Sequence, residues 1–442
     1  MKTIFSGLFI ILFIGIGVMN IYAEEPTDVN SVNDTPVLVS PIINKNNSVT
    51  FTYYNPEADE VYIKGNFLPR KKIFGPFSKD GKKKMQRQGD LWVYTTDSLP
   101  SDLYTYSFEV DDEPVYDPIN PDKVRDVADT LSYFVINGKV ADDYLRHNVP
   151  HGKIEMVWYP SQLPGFEKRR MAVYLPPHFS SQSTKKYPVL YLLHGSGGDE
   201  EAWIECGKVV EIMDNLIAQK RCKPMIVVLP NGNINLAATP GKDPENPHVD
   251  PTGNNISSMF GRIESVFMND IVDFVESRYP VKTDKADRAI AGLSLGGLHT
   301  KFITLNNPQS FDYIGLFSAQ TTNAMNSHRI EKVLDINAVW SEIKDTFSSI
   351  GEGRLGRKIT DLTDTDISIY DDEEEKLSAQ FNPPPRLYYI AVGKDDFTKR
   401  LNDDWRLTLT EHGCTFVYNE SDGGHTWENW RRYLVDFLPR LF

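Results

Sequence analysis

Arg288-Ala289-Ile290-Ala291-Gly292-Leu293-Ser294-Leu295-Gly296-Gly297 is the stretch on which the fold turns. An apolar run is followed at once by Gly-x-Ser-x-Gly, the pattern of a strand that breaks sharply into a helix with a serine at the apex. Such a turn strains the apical residue. It needs small residues two places before and two places after, where Cβ atoms would collide. Gly292 and Gly296 hold those places, and Gly297 extends the small surface. The pentapeptide alone also arises by chance in glycine-rich loops, so its surroundings decide its meaning.

Those surroundings alternate between strand and helix patterns. Residues 185–193 end in the apolar run Val189-Leu190-Tyr191-Leu192-Leu193 and lead into His194-Gly195-Ser196-Gly197-Gly198. A helical pattern covers 209–217, a second buried strand 225–230, and a helix 267–278 with Phe267, Ile271, Val272, Phe274 and Val275 at helical spacing. Two more apolar strands follow at 313–318 and 386–392, and a last one at 414–418. This β-α-β-α order predicts a doubly wound, mostly parallel sheet. Its ligands would sit at the carboxyl ends of the strands, where Ser294 lies.

A nucleophilic serine needs a base, and the base needs an orienting carboxylate. Both occur downstream in the order Ser, Asp, His. The strand ending at Val392 runs into Gly393-Lys394-Asp395-Asp396, and the last strand is followed by Gly423-Gly424-His425. Either aspartate could be the acid on this reading. His425 would take the Ser294 proton, and backbone N–H groups of Leu295 and of the 194–198 loop would hold the oxyanion.

With these motifs on the page, residues 150–442 resemble the feruloyl and acetylxylan esterases of carbohydrate esterase family one, which have the α/β-hydrolase fold. The matching pieces are Tyr191-Leu192-Leu193-His194-Gly195, Pro230-Asn231, the 288–297 stretch, Gly393-x-x-Asp396 and Gly423-Gly424-His425. The resemblance implies Ser294 as nucleophile, Asp396 rather than Asp395 as the acid, His425 as base, and the N–H groups of Leu295 and Ser196 as oxyanion donors. It makes His194 a structural loop residue. Trp203, Asn231 and Trp427 are expected to approach the pocket as substrate-binding residues. The stretch 321–385 is longer than in compact members and would shape the substrate cleft.

Ahead of this module, residues 1–23 read as a signal peptide, with Lys2, a short apolar run and Ala23. Residues 24–40 read as a polar linker. Residues 41–145 show short alternating strands, including 48–53, 60–64, 91–95 and 103–110, which predict an all-β, immunoglobulin-like sandwich. This region resembles the family-48 carbohydrate-binding modules through Val61-Tyr62-Ile63-Lys64-Gly65, Asp90-Leu91-Trp92-Val93-Tyr94 and Tyr116-Asp117-Pro118. Trp92 and Tyr104 either stack on sugar or pack the sandwich core, and alternation favours the core for Tyr104.

The net charge of −14 opposes nucleic acid binding. Three cysteines are too few for a disulfide framework, with free buried thiols expected ahead of a bridge. There is no zinc signature and no phosphate loop, and acyl transfer by these residues needs no cofactor or metal. The expectation is a secreted or periplasmic serine esterase, with no membrane partner after cleavage, acting on feruloylated xylan of plant cell walls. Acetylxylan esterase, siderophore esterase and a carbohydrate-binding protein with an inert hydrolase domain are the alternatives.

Overall fold

A computed structural model describes residues 38–74, 77–127, 129–182, 184–245, 262–321 and 367–442. The leader at 1–23, nearly all of 24–40 and most of the 321–385 stretch fall outside the described residues.

The apolar runs of the second half form one eight-stranded sheet. Its strands are β1 (Lys153–Pro160), β2 (Lys168–Leu175), β3 (Val189–Leu193), β4 (Ile226–Pro230), β5 (Arg288–Leu293), β6 (Tyr313–Phe317), β7 (Leu387–Gly393) and β8 (Val417–Ser421). The order is β1-β2-β4-β3-β5-β6-β7-β8. β1 and β2 pair antiparallel, as do β2 and β4, and every later pair is parallel. Every residue of β3, β4, β6 and β7 is buried, as a sheet covered on both faces requires.

Three details differ from the sequence reading. β1 and β2 did not stand out, because β2 opens with Lys168-Arg169-Arg170. Both arginines are nevertheless buried. Arg169 donates to the carbonyls of Asn233 (2.6 Å) and Leu236, and Arg170 to Glu200 (2.5 Å) and Glu201 (2.6 Å). The last strand lies at Val417–Ser421, which sets Ser421 opposite Gly393. The helix expected at 267–278 starts earlier, at Arg262–Val266, and widens into a π segment at Phe267–Val272 before Asp273–Arg278.

Residues 42–136 form two larger antiparallel sheets and a two-stranded ribbon, Lys71–Phe74 with Phe77–Lys79. One has the strand order Ile42–Ile43, Val49–Tyr54, Leu91–Thr95, Gln86–Gln88. The other runs Lys123–Asp126, Asp129–Ile136, Asp102–Val110, Val61–Gly65, Gly81–Lys84. Phe51 and Trp92 of the first share a core with Ile63, Tyr106, Phe108 and Phe134 of the second. Phe51 meets Tyr106 edge-on at 4.7 Å between ring centroids, a favoured aromatic geometry. Trp92 and Tyr104 are both buried here, and their polar atoms donate to the carbonyls of Asn55 (3.0 Å) and Pro100 (3.0 Å). Neither ring face is available to a sugar.

The β region is welded to the larger sheet. Leu103 and Tyr144 belong to the same buried cluster as Trp203, Val209 and Tyr433. Asn215 donates to the carbonyls of Asp142 (3.3 Å), Asp143 (3.2 Å) and Leu145 (2.8 Å). Cys206, Cys222 and Cys414 are all free thiols. Among the described residues no helix is long and apolar enough to cross a membrane.

Candidate active site

Ser294 sits between β5 and the helix Leu295–Asn306 with φ 52° and ψ −116°, a conformation costly for any residue but glycine. The glycines around it explain how the turn closes. A Cβ on Gly292 would lie 2.2 Å from the Gly296 carbonyl oxygen, and one on Gly296 would lie 2.3 Å from that of His194. No side chain larger than hydrogen fits at either place.

His425 reaches over the sheet from the loop after β8. Its Nε2 is 2.9 Å from Ser294 Oγ, and its Nδ1 is 2.9 and 3.1 Å from the two carboxylate oxygens of Asp396. Asp396 is buried just past the end of β7, whereas Asp395 is exposed; the carboxylate that meets His425 is that of Asp396. Asp396 Oδ1 also accepts from the N–H and hydroxyl of Thr398, both at 2.8 Å. Burial alone would raise this carboxyl. The hydrogen bond and charge of His425 outweigh it and hold the group below its ordinary range. The imidazole is flanked by Phe397 at 4.2 Å and by Trp430 edge-on at 4.9 Å. The arrangement can pass a proton from hydroxyl to imidazole and steady the resulting charge.

Leu295 is the first helical residue, and its N–H lies among those that an α-helix leaves without a helical acceptor. The loop bearing Ser196 packs directly on Ser294: a Cβ on Gly195 would lie 3.2 Å from Ser294 Cβ. Ser196 itself is exposed. His194 is buried and neutral. Its Nε2 accepts from the Gly232 N–H at 2.8 Å, so Nδ1 carries the proton and donates to the Gly195 carbonyl at 2.7 Å. Burial lowers its pKa from 6.5 to about 4, against the opposing pull of the Gly195 bond. The unfolded chain therefore takes up this proton at higher pH than the native protein does. The contribution to stability is complete above about pH 6.5 and is lost as pH falls toward about 4. Urea midpoints measured at pH 4.5 and 7.5 should differ less in His194→Gln than in the parent, and equal differences would refute this role.

The three residues expected to touch substrate do not behave alike. Trp203 is buried, donates to the Leu193 carbonyl at 3.0 Å and presents no polar group to a ligand. Asn231 is also buried. Its amide donates to Glu200 (2.9 Å) and accepts from the Asn233 N–H (2.9 Å), which ties two loops together. Among the described residues, both side chains are taken up by contacts within the fold. Trp427 is half-buried and packs edge-on against Trp203 at 5.4 Å and Trp430 at 5.1 Å. Its indole N–H donates to Asp126 of the β region at 3.2 Å. Asp126 and its neighbour Arg125 were not foreseen, because nothing in the local sequence marks a hairpin that reaches a site some 300 residues onward.

Comparison with known proteins agrees with this geometry. The Esterase family model ("Putative esterase") matches residues 166–441. An endo-1,4-beta-xylanase/feruloyl esterase of Xylanibacter ruminicola is 30% identical over 296 residues, covering 64% of this chain and 36% of that protein. An acetyl esterase of Caldicellulosiruptor saccharolyticus is 25% identical over 254 residues, covering 56% of this chain and 80% of the other. The chain thus spans little more than a third of the first relative's length. Among solved structures, the enterobactin esterase of Shigella flexneri aligns over 89% of this chain and 92% of its own, with TM-score 0.55 and 15% identity, a likeness of fold. The family match spans residues 166–441, which carry Ser294, Asp396 and His425, and gives one conclusion: the chain belongs to this esterase family.

Proposed function

We propose that the protein is a secreted serine esterase that removes feruloyl or related hydroxycinnamoyl groups from xylan side chains. The observation that carries the reading is the hydrogen-bonded relay Ser294–His425–Asp396 at the carboxyl ends of β5 and β7. In the first step His425 Nε2 takes the Ser294 proton as Oγ attacks the ester carbonyl. The oxyanion lies against the N–H groups of Leu295 and Ser196. His425 then hands its proton to the departing sugar oxygen, leaving an acyl-serine. Water, deprotonated by His425, attacks the acyl carbon, and Ser294 leaves with the proton returned to it. The feruloyl preference rests on the name of the Xylanibacter relative. Secretion rests on the leader pattern at 1–23. On this reading residues 150–442 are the esterase domain and 41–145 an immunoglobulin-like module related to the family-48 type. Because Trp92 and Tyr104 are buried, any glycan contact by that module uses other residues.

A second reading, a siderophore esterase, is favoured by one observation: the fold likeness to the enterobactin esterase extends over 89% of the chain. Purified enzyme offered methyl ferulate, feruloylated arabinoxylan, acetylated xylan and a cyclic catecholate trilactone separates the readings. Ferulate release at the highest kcat/KM is expected. Acetate release alone would assign the enzyme to acetylxylan, and preferential opening of the trilactone would assign it to siderophores.

A further inference from the structure

The turn of the hairpin formed by Lys123–Asp126 and Asp129–Ile136 is wedged between the two halves of the catalytic centre. On one side stands the loop that follows β3. Arg125 Nη2 lies 2.8 Å from Asp199 Oδ1, and its Nη1 donates to the Val127 carbonyl at 2.9 Å, so one guanidinium pins the hairpin tip to the loop. The Asp199 side chain is fully buried, and its second oxygen has no hydrogen-bond partner among the described residues. Arg125 is therefore the counter-charge that makes this buried carboxylate tolerable. The Arg125 backbone also joins the fit, its N–H donating to Glu205 (3.3 Å) and its carbonyl accepting from the Cys206 thiol (3.4 Å).

Val127 contacts the same loop at Gly197. It is β-branched yet has φ 55°, a region such residues avoid unless their surroundings impose it. Its γ-methyls cover Gly197, whose φ is 76°. A Cβ on Gly197 would lie 3.1 and 3.4 Å from them. Gly197 lies inside the turn closed by the Gly198 N–H to the Gly195 carbonyl at 3.2 Å, and Gly195 packs on Ser294. On the other side, Asp126 Oδ1 accepts from the Trp427 indole at 3.2 Å. Trp427 meets Trp430 edge-on at 5.1 Å, and Trp430 meets the His425 ring at 4.9 Å.

We propose that Arg125, Asp126 and Val127 of the β region are positioning residues of the esterase centre. Arg125 and Val127 hold the Gly195–Gly198 turn at the distance from Ser294 that the oxyanion requires, while Asp126 fixes the tryptophan wall behind His425. The inference rests on the serine-esterase reading above. It makes the β region a working part of the catalytic site rather than only a carrier of glycan.

The test uses the full chain, methyl ferulate, and a fluorophosphonate, which loses fluoride as the serine oxygen bonds to phosphorus and places its phosphoryl oxygen against the oxyanion donors. In Val127→Gly the strained residue is replaced by one at ease with positive φ, so folding is retained while the methyls over Gly197 are lost. Its kcat is expected to fall about 10-fold with KM within about 2-fold, and the inactivation rate should fall in parallel. This is part of the roughly 10²–10³-fold that loss of one oxyanion donor costs. Arg125→Ala should lose about 10–100-fold in kcat, within the same limit, with partial recovery in Arg125→Lys. Wild-type kcat and inactivation rate in folded Val127→Gly would overturn the proposal even if Arg125→Ala fails to fold. Persisting activity in Ser294→Ala would instead overturn the serine mechanism, and the two failures are thereby distinguished.

Discussion

Replacing Ser294 with alanine should lower kcat for ester hydrolysis by about 10⁶-fold, with folding intact, because the residues of such a relay act as a unit. Alanine also has a Cβ, so the packing around the turn is preserved. The oxyanion donors stay in place, which leaves a residual rate of about 10³–10⁴ over water. Asp396→Asn should cost about 10⁴-fold, and for a reason specific to this site. Asp396 Oδ1 accepts two hydrogen bonds from Thr398. The asparagine carbonyl oxygen would be held there, which turns its NH₂ group toward His425 Nδ1. The imidazole would then carry its proton on Nε2 and could not accept the one on Ser294. Steady-state kinetics on methyl ferulate, with mass-spectrometric detection of acyl-serine, checks both. More than about 1% of parental kcat in Ser294→Ala would exclude Ser294 as the nucleophile.

Much of this centre could be read from the chain because its parts are local. The strained turn requires Gly292 and Gly296 within two residues of Ser294, Asp396 follows the continuous apolar run of β7 that a doubly covered sheet imposes, and His425 is marked by the Gly423-Gly424 pair before it rather than by its half-buried strand. What escaped the sequence was long-range. Arg169 and Arg170 interrupt any apolar strand pattern, yet partners 64 and 30 residues away let both be buried in β2. Trp203 follows the nucleophile-side loop in sequence, but its indole turns inward to the Leu193 carbonyl. Asn231 follows β4 directly, where a ligand residue would stand, but Glu200 and the Asn233 N–H take up its amide. Proximity in sequence to a site predicts position well and side-chain direction poorly. Nothing local distinguishes Val127 from any other hairpin valine, because its conformation is imposed by the surface it packs on.

Asp102→Ala should destabilise the protein by about 3–5 kcal/mol, the cost of removing one member of a buried ion pair. Asp102 opens the strand Asp102–Val110 in the β region and is 2% exposed. Its Oδ1 accepts from Arg431 at 3.3 Å, and its Oδ2 is bound by Arg432. Arg431 is 1% exposed, on the terminal helix Trp427–Phe437 that also carries the tryptophans behind His425. Its other contacts are neutral: the carbonyls of Cys206 (3.0 Å) and Leu103 (3.1 Å) and the Tyr144 ring at 5.0 Å. Without Asp102 the guanidinium stays out of water with no anion among those contacts. Arg432 is 43% exposed and recovers hydration, so most of the loss falls on Arg431. Asp102→Ala combined with Arg431→Met, which removes the stranded charge and keeps apolar volume, should recover a large part of the loss. Urea unfolding followed by tryptophan fluorescence measures both variants. A single-variant loss below about 1 kcal/mol, the range of solvent-exposed pairs, would mean that water reaches Arg431 and that this boundary is looser than its burial indicates.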